Sequence, residues 1–146
     1  MAVAERWRGT RAIRLSTNEC ERHATRMVGP DVRIRALYLF GSRGRGARDV
    51  QADVDLAIWT SEEFTWTDLY ELRGRITSAL RSERVDLVWL NKAEPVMAFQ
   101  VLKTGRALMF RDVDELNALE LRMKQRFWDH AVYLRGRRRR RRGVET

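Results

Sequence analysis

The sequence predicts one small α/β domain, a mixed sheet packed against helices and closed by a long C-terminal helix. Three observations lead there. The chain has 146 residues, of which 44% are apolar, enough for one ordinary core and too few for two large ones. Short apolar runs suited to strands alternate with longer stretches whose apolar residues recur every three or four positions. Glycine and proline fall between these segments, where turns are needed.

Residues 1–14 read as a loosely ordered basic arm, with four arginines against Glu5. Ser16 to Val28 suits a helix, with Ser16 as N-cap and Glu19 three residues on, the spacing of a capping box. Gly29-Pro30 ends it. Val32 to Phe40 follows as a strand, more apolar toward its end, as a central strand should be. A turn from Gly41 to Gly46 opens a short helical segment, and Asp53 to Trp59 is the second strand.

Thr67 to Arg81 carries Leu69, Leu72, Ile76 and Leu80 at helical spacing. Arg84 to Leu90 reads as a third strand containing one carboxylate, Asp86. Pro95 fits the first turn of a helix running through Lys103, with Gly105 as its C-cap. Ala107 to Phe110 is a short edge strand, and Asp112 to Leu134 a long helix. The domain therefore spans residues 15–134. Residues 135–146, dominated by the run Arg137–Arg142, read as a disordered tail, because like charges in a block repel one another.

The net charge of +9 lies at the two ends, since residues 15–134 carry 18 basic and 18 acidic side chains. The fold itself is thus no basic nucleic-acid platform. Nucleic acid remains open as a partner of the arginine run, through sequence-blind phosphate contacts, but a solvated tail is the favoured reading. Cys20 is the one cysteine, so no intrachain disulfide forms and a reducing cytoplasm is expected. No stretch approaches the roughly 18 apolar residues of a membrane span.

The chemistry concentrates between Gly41 and Asp86. Asp53 and Asp55, one residue apart at a strand start, point to one side of the sheet. Like charges held that close call for a cation, and hard oxygen ligands suit Mg²⁺. The small-residue turn upstream offers backbone N–H groups to a phosphate. Asp86 sits mid-strand, where an aspartate is otherwise unwelcome. If its strand lies beside that of Asp55, three carboxylates converge and could hold two ions in the clamp used for displacement at phosphorus.

Gly41-Ser42, ten intervening residues and Asp53-x-Asp55 resemble the signature of the DNA polymerase β-like nucleotidyltransferases. The short chain, the turn Gly41-Ser42-Arg43-Gly44-Arg45-Gly46 and the later Asp86 resemble the minimal nucleotidyltransferase (MNT) branch. Ala52 departs from the serine common at that position, which is not a metal ligand. The resemblance implies that Gly41 and Ser42, with the amides of the turn, bind the phosphates of ATP. Arg43 or Arg45 would add positive charge there. Asp53, Asp55 and Asp86 would be both the catalytic residues and the ligands of two Mg²⁺ ions, Asp86 also helping to deprotonate the acceptor.

Many MNT proteins are antitoxins that transfer AMP to a tyrosine of a HEPN-type ribonuclease toxin, so the resemblance implies that role and a hetero-oligomer with such a toxin. An RNA or small-molecule acceptor, or an antitoxin that works by binding alone, stays open at this point.

Overall fold

The computed structural model describes residues 13–44 and 53–145, except for the side chains of Ser42 and of residues 141–145. Residues 1–12 of the expected arm, and Arg45 with the rest of its turn, lie outside the described residues.

Helix α1 spans Thr17–Val28. Ser16 Oγ accepts from the Glu19 N–H, and Glu19 returns a bond to the Ser16 N–H, so the expected capping box is complete. Strand β1 (Ile34–Phe40) runs into a one-turn helix α2 (Gly41–Gly44), and β2 covers Val54–Thr60. Helix α3 (Trp66–Leu80) has its own capping box between Thr65 and Asp68, and ends at Arg81 in the left-handed conformation. Strand β3 (Val85–Trp89) leads through a short 3₁₀ turn to α4 (Pro95–Thr104), β4 (Arg106–Phe110) and α5 (Val113–Glu145). Pro95 occupies the first turn of α4 and Gly105 caps it, as expected.

The four strands form one mixed sheet in the order β3-β2-β1-β4. Strand β1 pairs antiparallel with β2 and β4, while β2 and β3 are parallel, with α3 as the crossover a parallel pair needs. Side-chain alternation sorts the sheet into two faces. Leu39, Leu56, Ile58 and Val85 face α1 and α3, where Cys20, Ala24, Val28, Leu72 and Ile76 close one core. Tyr38, Phe40 and Ala57 face α4 and α5, where Ala98, Val101, Leu116, Leu119 and Met123 close the other.

Asn91 ties the ends of β2 and β3 together. Its amide donates to the Thr60 carbonyl at 2.7 Å and accepts from the Thr60 N–H at 2.9 Å. The Trp89 indole N–H donates to Thr60 Oγ1 at 2.9 Å, which satisfies a polar atom in a buried ring.

Two expectations about the ends are revised. Ile13, assigned to the flexible arm, is fully buried in the core beside α1. The arginine run does not leave the helix but continues it, so α5 extends to Glu145 instead of stopping at Leu134. Arginine is a good helix former, and cations near a helix C-terminus are favoured by the dipole.

Candidate active site

The site forms where β1 ends and β2 and β3 begin. Phe40, the last residue of β1, lies opposite Asp55. The next residue, Gly41, has φ +68°, a conformation that side chains rarely tolerate. A Cβ on Gly41 would collide with Asp55 Oδ2. Glycine is therefore required twice here, for the backbone angle and for the carboxylate pressed against its Cα. The Gly41 N–H donates to Thr104 Oγ1 at 3.3 Å, which ties the turn to the end of α4. A second close approach backs it: a Cβ on Gly105 would stand 2.8 Å from Phe40 Cβ and 2.9 Å from the Leu39 carbonyl oxygen.

Asp55 and Asp86 are direct partners in the parallel β2–β3 register. Parallel strands lie about 4.8 Å apart and partner side chains share a face, so two carboxylates stand side by side. Asp53 sits one residue ahead of β2, and all three are half-buried. The expected adjacency of the two strands is thus present. Among the described residues, however, no three His, Cys, Asp or Glu side chains stand close enough to share one ion. The carboxylates form a register pair with Asp53 beside it rather than a closed cage. Hard oxygen donors on neighbouring strands, facing a glycine turn, still fit a divalent cation better than any softer metal.

Arg43 goes elsewhere. It is fully buried, and its guanidinium donates to the Leu15 carbonyl at 3.3 Å, to Thr17 Oγ1 at 3.4 Å and to Cys20 Sγ at 3.5 Å. That places it against α1 and the segment leading into it, where it anchors the turn from beneath. Burial pushes the Cys20 thiol up, and the Arg43 charge only partly offsets this. Of the expected nucleotide-binding residues, Gly41 and Ser42 open the turn at the mouth of the sheet, and Arg43 supports it.

Two supports were not apparent from sequence. Tyr38 is buried on β1 and donates to Glu120 on α5 at 2.7 Å. Burial and then the Glu120 hydrogen bond raise its pKa, so it stays a donor and clamps α5 to the sheet. Arg33 bridges Asp31 at 2.9 Å and Asp68 at 3.0 Å, joining the entry of β1 to the cap of α3. Periodicity alone marks Tyr38 only as a core residue, because its partner is far away in the chain.

The polymerase β nucleotidyltransferase family model matches residues 25–114, a span that contains all three aspartates and the turn. The chain is 32% identical over 83 residues to the protein adenylyltransferase MntA of Shewanella oneidensis. That match covers 57% of this chain and 59% of the relative, less than two thirds of its length. A solved toxin–antitoxin structure with AMP-PNP aligns over 86% of this chain and 98% of its own, at TM-score 0.65 and 25% identity. The MNT antitoxin complexed with a tri-AMPylated HEPN toxin of Shewanella oneidensis aligns over 88% and 96%, with TM-score 0.61 and 22% identity. At that identity the likeness speaks for the fold. Glycine turn, paired aspartates in register with a third, and a family match over most of the chain lead to one conclusion: the protein belongs to the polymerase β nucleotidyltransferase family.

Proposed function

We propose that this protein is a protein adenylyltransferase antitoxin, which transfers AMP from ATP to a tyrosine of a HEPN-type ribonuclease toxin and so disables it. The observation that carries the reading is Asp55, in register with Asp86 and pressed against the Gly41 turn. The name of the MntA relative and the AMP-PNP complex of a similar fold support an adenine nucleotide and a protein acceptor.

In this reading Asp53, Asp55 and Asp86 would hold Mg²⁺ between them, two ions by the family pattern, and the metal would supply charge neutralisation at the triphosphate. Gly41, Ser42 and the turn amides orient the β- and γ-phosphates. The acceptor hydroxyl oxygen bonds to the α-phosphorus as the bond to the bridging β-phosphate oxygen breaks, and pyrophosphate leaves. The hydroxyl proton passes to the Asp86 carboxylate. Positioning and electrostatics, not covalent help from the protein, supply the rate.

Arg43 acts here as a support of the turn and not as a phosphate ligand, because its guanidinium is already buried against α1. The expected charge at the phosphates would then fall to Arg45. A cytoplasmic setting fits a chain whose one cysteine, Cys20, is buried and can form no intrachain disulfide.

The test is intact mass spectrometry of the partner toxin after incubation with this protein, ATP and Mg²⁺. The toxin should gain one or more AMP residues, and the Asp53→Asn/Asp55→Asn variant should add none. A toxin neutralised equally well by that variant would leave binding, not catalysis, as the mechanism.

A further inference from the structure

The arginine run is the one strong sequence feature that the active site does not use. Helix α5 is 33 residues long, which is about 50 Å. It crosses the sheet at the end remote from the carboxylates. Glu115 meets Arg35 at the start of β1, Arg122 lies over Trp59 at the end of β2, and Arg126 donates to the Ala93 carbonyl beyond β3. Phe127 stacks on Phe99 at 4.0 Å, the last ring contact between α5 and α4. From Val132 to Arg140 every residue is exposed. Among the described residues the helix there is exposed around its whole circumference.

We propose that this outer part of α5 is a nucleic-acid-binding element that seats in the major groove of duplex DNA through sequence-independent phosphate contacts. The charge supports this first: Arg135 and Arg137 through Arg142 face only Glu145, beside a domain whose charges balance. The geometry supports it second. Successive helical residues are about 100° apart, so Arg137 to Arg140 already cover most of the circumference. A flat protein partner could meet only one side of such a helix and would leave the remaining arginines repelling one another. A groove with a phosphate wall on either side meets them all.

The B-form major groove, about 12 Å wide, admits a helix of about 10–12 Å. The A-form RNA groove is too narrow for it. Arginine, with its planar fork of donors, suits phosphate oxygens better than lysine does. Arg137 also lies over the exposed Tyr133 ring at 5.9 Å, which helps hold the first turn of the run.

The experiment is fluorescence anisotropy of a labelled DNA duplex of arbitrary sequence with the full chain. With about six phosphates neutralised, the log–log salt slope should be near −5, so affinity falls about 10³-fold between about 50 and 200 mM salt. Replacing Arg137 through Arg142 by Gln, which preserves helix propensity, should abolish that slope and leave AMP transfer unchanged. The paired variants Arg137→Gln/Arg138→Gln and Arg139→Gln/Arg140→Gln should each lower it by about 2. Binding that survives the sixfold change, or a slope unmoved by the paired variants, would overturn the proposal. So would tighter binding to duplex RNA or to an acidic polypeptide than to duplex DNA.

Discussion

Substituting Gly41 by alanine probes the site without replacing a carboxylate. The added methyl meets two obstacles. At φ +68° an L-residue is disfavoured by about 1–2 kcal/mol relative to glycine. The Cβ also collides with Asp55 Oδ2, so the carboxylate must leave its rotamer, which costs about 0.5–1.5 kcal/mol more. The sum, about 1.5–3.5 kcal/mol, should lower Tm by several degrees in a chain of this size. Activity should suffer more than stability, because a shift of about 1 Å in a positioning group can reduce rate about 10²-fold.

Gly74→Ala is the matched control. It lies on α3 with nothing within 4 Å of an added Cβ, so the change should stabilise by about 0.5–1 kcal/mol and leave transfer intact. Thermal melts and initial rates of AMP incorporation on the three proteins decide the matter. A Gly41→Ala protein with wild-type rate would refute the claim that the turn and Asp55 form one unit.

Three further outcomes are expected. Arg43→Ala should destabilise by about 2–4 kcal/mol in a denaturant titration, since it empties a fully buried site and removes the donor to the Leu15 carbonyl. Hydrogen bonds from Arg33 hold the Asp31 carboxyl below its ordinary value, and the Asp68 carboxyl is lowered first by hydrogen bonds from Thr65 and then by Arg33. A depressed folded-state pKa stabilises above the unfolded value of about 3.9 and is lost as pH falls through the folded one, so Arg33→Met should flatten the acid limb of a stability–pH curve below about pH 4. Cys20, buried with its thiol pushed up, should react with a maleimide far more slowly in the native protein than in denaturant; equal rates would contradict its place in the core.

Much of this architecture is legible in local sequence because local chemistry decides it. Ser16 and Glu19 name the start of α1, Pro95 and Gly105 bracket α4, and the apolar runs ending at Phe40 and Trp59 are strands of the sheet. The carboxylate pair is half legible: spacing marks Asp53 and Asp55, but only pairing between distant strands sets Asp86 beside Asp55. Arg43 could not be read, since its burial depends on Leu15 and Cys20 arriving from α1 and its approach. The end of α5 is missed for a different reason. Charge repulsion argues against order in the run, while arginine's helix propensity and the helix dipole favour it, and composition does not say which prevails.

The proposed function requires the Asp53, Asp55 and Asp86 site to move a nucleotidyl group and not a phosphoryl group. The test follows label from ATP to the proposed toxin partner, using ATP labelled at the α-phosphate in one reaction and at the γ-phosphate in another. The α-label should become protein-bound, the γ-label should be released with pyrophosphate, and Asp55→Asn should abolish transfer while melting as the wild type does. Retention of the γ-label, or undiminished transfer by Asp55→Asn, would contradict it.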